Sequence, residues 1–127
     1  MEKYLILTIA LIAAFSGCDA GGTRATVAGT LTLPAPATFT YYVWVENDTY
    51  NPIAETSGVV VAANSVNYSI SDVLYGTYYI RAWVDDDADG YPEHDQYYGG
   101  VVVNPPLAPN AVVPSSGTVV FDITFSY

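Results

Sequence analysis

Positive charge is almost absent from this sequence of 127 residues, in which the basic residues are Lys3, Arg24 and Arg81. Thirteen aspartates and glutamates leave a formal net charge of -10 at pH 7. Because so acidic a chain repels phosphate backbones, we expect no nucleic-acid partner. Anionic lipid headgroups repel it as well, so any membrane attachment has to be covalent or hydrophobic.

Cysteine and histidine are equally scarce, since Cys18 and His94 are the only examples of each. A single cysteine excludes an intrachain disulfide. His94 lies in a polar loop between Glu93 and Asp95 with no evident nucleophile, so a solvated histidine is favoured over a general base. One acidic cluster on one hairpin also offers no opposed pair of carboxylates for glycoside hydrolysis. We therefore expect a protein that is not an enzyme.

The apolar run from Tyr4 to Phe15 is too short to cross about 30 Å of hydrocarbon as a helix. It is typical of the h-region of a secretory signal. The following letters FSGC, ending at Cys18, resemble the lipobox of bacterial lipoproteins, with Phe15 in place of the usual leucine. That resemblance implies cleavage before Cys18 and acylation of its side chain. The alternative is a plain signal peptide with an incidental cysteine.

These features predict the organisation of the chain. Residues 1–17 are a lipoprotein signal peptide, residues 18–23 are the lipidated cysteine and its tether, and residues 24–127 are the folded domain. Several acyl chains, at about 0.8 kcal/mol per buried methylene, would hold the mature protein on a membrane. We expect export across the inner membrane and attachment to the cell envelope, at the outer membrane or the cell surface.

The mature chain is predicted to be all-β, as an antiparallel β-sandwich of two sheets with seven to eight strands. Side chains alternate with a period of two in TVAGTLTL (26–33), TYYVWVE (40–46), GTYYIRAWVD (76–85) and TVVFDITFSY (118–127). The segments GVVVAA (58–63), SVNYSISDV (65–73) and YYGGVVV (97–103) add shorter strands. The third of the long segments is expected to point Tyr78, Ile80, Ala82 and Val84 inward. So many short strands imply two packed sheets.

Two segments, VAGTLTL (27–33) and VNYSISDVLYGTYYIRAW (66–83), resemble the transthyretin-like, carboxypeptidase-regulatory-like domains of secreted bacterial proteins. Leu74, Gly76 and Tyr78 match the turn of that pattern, and Tyr75 stands where proline is often found. The resemblance implies a sandwich fold and a non-catalytic accessory or structural role.

The segment VDDDADGYPEHDQ (84–96) contains six carboxylates within residues 85–95. Its D-x-D-x-D-G pattern matches the first half of an EF-hand calcium loop, in which side chains at positions 1, 3 and 5 converge and a glycine at position 6 turns the chain. Gln96 replaces the usual glutamate at position 12. The predicted calcium ligands are Asp85, Asp87 and Asp89, the carbonyl of Tyr91, and Glu93 or Asp95 as the closing carboxylate. The alternative is an acidic, solvated turn.

Twelve tyrosines and two tryptophans are many for a domain of this size. Alternation places several aromatic side chains outward on two segments that would lie side by side if they pair. Such a face could stack on sugar rings, or it could only stabilise the sheet through cross-strand pairs. The candidate ligand face comprises Tyr42, Trp44, Tyr79, Arg81 and Trp83, with Glu46 at its rim.

The sequence thus predicts a calcium-stabilised β-sandwich lipoprotein of the cell envelope that serves surface binding, adhesion or envelope assembly. Its expected partners are the membrane, through Cys18, and an envelope protein or a glycan. A carbohydrate-binding module that uses the aromatic face is the alternative.

Overall fold

The computed structural model describes residues 23–48, 51–99, 106 and 108–127. The predicted signal peptide and Cys18 lie outside these described residues. Within them the chain forms strands and no helix, which confirms the all-β prediction. The strands are β1 (Arg24–Asp48), β2 (Asn51–Leu74), β3 (Gly76–Asp85), β4 (His94–Tyr97), β5 (Ala111–Val113), β6 (Thr118–Val120) and β7 (Ile123–Thr124).

β1 organises the sheet because it pairs with four other strands. β2 runs antiparallel to it along nearly its whole length. The first part of β1 also pairs in parallel with β6 and β7, and its second part, from Thr40 to Glu46, pairs antiparallel with β3. β3 continues to β4 on its other side and also pairs with β5. All seven strands thus belong to one sheet, and the predicted sandwich of two sheets is not confirmed.

The two long strands are interrupted where β1 carries Pro34 and Pro36. Proline has no backbone N–H to donate, so the ladder cannot continue there. The register shifts between the Thr32–Ser65 and Ala37–Ala63 pairs. Opposite this point Ala62 has a φ of 52°, and its amide donates to Thr38 Oγ1 at 3.1 Å. The segments GVVVAA and SVNYSISDV are therefore one irregular strand and not two.

The core consists mainly of the apolar side chains on one face of each strand. The four side chains of β3 that were predicted to point inward are buried as expected: Tyr78, Ile80, Ala82 and Val84. The same cluster includes Val27 and Leu31 from the first part of β1 and Val43 and Val45 from its second part. Because one core joins both parts of β1, the sheet curves around a single apolar interior.

A close backbone approach fixes the end of the chain over β1. The Tyr68 hydroxyl donates to the Phe121 carbonyl at 2.6 Å, and the Phe121 amide donates to the Ala28 carbonyl at 2.8 Å. A Cβ on Gly29 would collide with the Phe121 carbonyl and would lie 2.8 Å from the Tyr68 ring. Only glycine therefore fits at position 29. Burial, as the main cause, and the nearby charge of Asp122 raise the pKa of Tyr68. The hydroxyl therefore stays protonated and remains a hydrogen-bond donor.

Candidate metal centre

The acidic loop, residues 85–95, begins at the last residue of β3 and extends into β4. Its base is closed by the Glu93 amide, which donates to the Val84 carbonyl at 3.0 Å. Within it Ala88 and Gly90 have φ values of 63° and 90°. Aspartate and glycine favour such tight turns because the aspartate side chain accepts hydrogen bonds from amides just ahead and glycine tolerates positive φ.

Four carboxylates of the loop converge. Asp85, Asp87, Asp89 and Glu93 each offer an oxygen, and these four oxygens lie within 4.8 Å of one another. Asp85 is buried, whereas the other three are exposed. Oxygens this close can share one cation, which would also offset the repulsion among them. The group therefore has the geometry to hold a metal ion.

Asp85 is the structural centre of the loop. Its Oδ1 accepts the Ala88 amide at 2.7 Å, and its Oδ2 accepts the Gly90 amide at 2.8 Å. Burial by itself raises the pKa of Asp85, but the hydrogen bonds from Gly90, Ala88 and Asp87 outweigh it and lower the pKa. Asp85 is therefore held as a carboxylate, which is the form that binds cations.

Glu93 has the opposite titration behaviour. Its Oε1 accepts the Asp86 amide at 2.7 Å, which favours the ionised form. Desolvation and the neighbouring charges of Asp87 and Asp85 outweigh this bond and raise the pKa of Glu93. A cation bound among these carboxylates would reverse the effect of the neighbouring charges.

The structure separates the two carboxylates that the sequence offered for the closing position. Glu93 joins the group of four, whereas Asp95 lies on β4, opposite Trp83 of β3. Asp95 Oδ2 lies 3.4 Å from Arg81 Nη1, so it takes part in a different ion pair. Tyr91, predicted to contribute its carbonyl, donates its amide to Asp89 Oδ1 at 2.9 Å and leaves its side chain exposed.

One contact of the acidic loop with the end of the chain was not predicted. The His94 ring stacks on the ring of Tyr127, with centroids 3.2 Å apart, and His94 Nε2 lies 3.5 Å from Asp86 Oδ2. The sequence carried no signal for this contact, because 33 residues separate the two rings and alternation alone does not say which strands meet.

The predicted aromatic face is largely assembled. Tyr42 and Trp44 have nearly parallel rings at 5.7 Å, and Trp83 contacts both, at 4.6 Å from Tyr42 and 6.1 Å from Trp44. The Arg81 guanidinium lies 4.4 Å from the centre of the Trp44 ring. The Trp44 Nε1 donates to Glu55 Oε1 at 3.0 Å. These four residues of the face are all half-buried: Tyr42, Trp44, Arg81 and Trp83.

Tyr79 and Glu46 lie at the end of this face and are buried. Tyr79 packs edge-on against Tyr97 at 5.9 Å. Glu46 is fully buried, and its Oε2 accepts a hydrogen bond from Arg81 Nε at 3.0 Å. Tyr79, one of the five residues predicted to face a ligand, is thus a packing residue, and Glu46, predicted at the rim, is a buried ion-pair partner.

Comparison with protein families, curated proteins and solved structures finds no match for the chain. Within the described residues, no helix is long and apolar enough to cross a membrane.

Proposed function

We propose that this protein is a non-catalytic lipoprotein of the cell envelope whose β-domain is stabilised by a calcium ion in the acidic loop. The domain serves surface binding, adhesion or envelope assembly, and the acyl chains of Cys18 hold it on the membrane. The observation that carries the calcium part is the convergence of four carboxylates within 4.8 Å at the end of β3.

The chemistry of the donors favours calcium over other ions. Carboxylate oxygens are hard ligands, and neither an imidazole nor a thiolate belongs to the group of four, which disfavours zinc and copper. Mg²⁺ demands a near-ideal octahedron and gives up its water reluctantly, whereas Ca²⁺ accepts irregular sets of six to eight oxygens. Three of the four carboxylates are exposed, so water can complete the coordination. Extracellular calcium modules typically bind with a Kd on the order of 10⁻⁴ to 10⁻³ M.

The proposed anchoring depends on the sequence before the domain. The apolar run that ends at Phe15 and the small residues before Cys18 support acylation at the cell envelope. Calcium is abundant outside the cytoplasm, so a weak site at the cell surface would be occupied. Anchoring and calcium binding are therefore compatible parts of one proposal.

Thermal unfolding of residues 19–127 in EDTA, Mg²⁺ and Ca²⁺ tests the calcium part. At about 10 mM Ca²⁺, a hundred times a Kd of about 10⁻⁴ M, binding adds about 2.7 kcal/mol of stability. The midpoint should then rise by roughly 10 °C. The Asp87→Asn variant should lose this rise while keeping its midpoint in EDTA, because Asp87 is exposed. An equal rise with Mg²⁺, or no rise with either ion, would refute the calcium site.

A second function, carbohydrate binding, is supported by the convergence of Tyr42, Trp44 and Trp83 on one face. Affinity electrophoresis through gels that contain soluble polysaccharides would test it. A retardation that Trp83→Ala abolishes supports the function. Arg81 already covers one side of the Trp44 ring, which leaves less of that ring for a sugar. Unchanged migration in every gel would mean that the cluster serves cross-strand packing and not carbohydrate binding.

A further inference from the structure

The two ends of the β1–β2 hairpin meet at a groove of about 270 Å³. Arg24 from the start of β1 and Ile53 from the start of β2 line it, together with Asp72 and Leu74 from the end of β2. Tyr78 closes it from β3, and its hydroxyl donates to the Leu74 carbonyl at 2.8 Å. The groove therefore lies at the end of the domain where the described chain begins.

Large apolar side chains are exposed around this groove. Ile53 and Leu74 are each 43% exposed and Tyr75 is 57% exposed. The Tyr75 amide donates to the Thr23 carbonyl at 2.9 Å, so Tyr75 lies directly beside the point where the tether joins the domain. We call the surface formed by Ile53, Leu74 and Tyr75 the tether end.

We propose that the tether end is a membrane-contacting surface that rests on the lipid bilayer to which Cys18 is attached. This inference depends on the proposed anchoring. Five residues lead from Cys18 to Thr23, and a chain of that length spans at most roughly 18 Å. The tether end is thus held within reach of the headgroups, where exposed apolar side chains can leave water and a tyrosine can place its ring and hydroxyl at the interface.

The distribution of charge favours the same orientation. At the tether end Arg24 lies beside Asp72, whose carbonyl accepts a hydrogen bond from Arg24 Nη1 at 3.2 Å. Asn47, which precedes Asp48 at the end of β1, also lines the groove. The acidic loop lies at the far end of β3, about 30 Å away for ten residues of strand. The end with little net charge therefore faces the membrane, and the cation-binding end faces away from it.

Two other exposed apolar residues, Val59 and Val61, lie at the far end of the sheet. Val59 is 69% and Val61 73% exposed. Val59 pairs with Thr40, which in turn pairs with Asp85, so these valines lie toward the acidic loop. They are beyond the reach of the tether and provide a comparison for the tether end.

Photo-crosslinking to lipid tests the orientation. In the full chain, Tyr75 or Tyr91 is replaced by p-benzoylphenylalanine, and the sole thiol, Cys18, is coupled to a maleimide lipid in phosphatidylcholine vesicles. Both tyrosines are exposed, so neither change disturbs the core. Because a side chain about 30 Å from the bilayer does not reach the acyl chains, lipid adducts at position 75 should exceed those at position 91 by at least about tenfold. Equal yields, or no adduct at position 75, would overturn the proposal.

Chemical coupling separates this test from the proposed anchoring. Acylation is measured independently, from the mass of the peptide that contains Cys18 in the membrane fraction of the producing bacterium. Lipid crosslinking at position 75 in vesicles, without acylation of Cys18 in the bacterium, would refute the anchoring. It would retain the proposed orientation for a chain that is held through Cys18. Acylation with equal crosslinking at both positions would retain the anchoring and refute the orientation.

Discussion

Two groups of carboxylates lie near one another at the β3–β4 end of the sheet, and they are neutralised in different ways. In the first group, the bridged group, Arg81 lies 3.0 Å from Glu46 and 3.4 Å from Asp95. The second is the group of four carboxylates in the acidic loop, which accept hydrogen bonds from backbone amides. The first group includes its own cation. The second has the geometry to take one from solution.

The difference shows how a very acidic chain can use its few basic residues. A buried carboxylate needs a fixed opposite charge or, as at Asp85, hydrogen bonds from several backbone amides, because desolvating a lone charge is costly. Glu46 is fully buried, and Arg81 is its ion-pair partner. Exposed carboxylates such as Asp87 and Asp89 need no such partner, since water and a mobile cation can serve. The stability of the bridged group should therefore be independent of calcium, and that of the loop should depend on it.

The largest effect should come from Arg81→Met. Removing one partner of a buried ion pair costs about 3–5 kcal/mol, and the loss of the packing on Trp44 adds to it. Urea unfolding should detect this loss equally in EDTA and in Ca²⁺. Arg24→Met, at an exposed position, is the matched control and should cost less than about 1 kcal/mol. A similar small loss for Arg81→Met would mean that the bridged group behaves as a surface ion pair.

A smaller loss is expected for Asp85→Asn. The amide side chain cannot accept hydrogen bonds from both Ala88 and Gly90, because one of its atoms becomes a donor. The variant should melt lower than the parent chain in EDTA and should also fail to respond to Ca²⁺. Asp48→Asn, at an aspartate that also ends a strand but is exposed, should do neither. A normal calcium response in Asp85→Asn would remove Asp85 from the site.

Asp89→Asn should separate stability from binding. An asparagine can still accept the Tyr91 amide through its Oδ1, and the change removes one charge from a repulsive group. In EDTA its stability should stay within about 0.5 kcal/mol of the parent. In Ca²⁺ it should lose most of the gain. Asp95→Asn removes an acidic residue of the same hairpin outside the group of four and should keep the full calcium response; loss of that response would place Asp95 in the site.

The pH dependence should be the smallest effect, and it follows from Glu93. Because its folded pKa is raised above the ordinary 4.5, protonation of Glu93 stabilises the metal-free fold; this contribution is fully present below pH 4.5 and is lost as the pH rises through the raised value. Calcium competes with that proton, so the calcium-induced rise in the midpoint should shrink as the pH falls through the same window. In Glu93→Gln, melting midpoints recorded across this pH window should lose the pH dependence that Glu93 causes. A pH dependence that remains unchanged in the variant would mean that another group causes it.

Alternation in the sequence predicts much of the fold. Val43, Val45, Ile80 and Val84 are buried as their period of two indicates, because a strand with one face in the core must place every second residue there. The length of β2 could not be predicted in the same way. Its continuity through Ala62 depends on pairing with β1, which is a tertiary contact that local propensity does not encode.

The candidate site was predictable to a similar degree. The spacing of Asp85, Asp87 and Asp89 alone indicates convergence, because alternating aspartates followed by a glycine bend the chain around a centre. The sequence could not choose between Glu93 and Asp95, which are two residues apart in an irregular segment. The choice depends on β4 pairing with β3, which brings Asp95 to Arg81. Burial of Glu46 was missed for the same reason, since an outward register position does not reveal what covers it.

Calorimetric titration of Ca²⁺ into residues 19–127, with Asp87→Asn as the control, tests the central claim most directly. The account predicts one calcium ion per chain, with a Kd on the order of 10⁻⁴ M or somewhat weaker, and no binding heat in the variant. Titration of Mg²⁺ should give a much weaker response. An absence of binding heat in the parent chain, or equal binding by the variant, would contradict the claim and leave the acidic loop as a solvated turn.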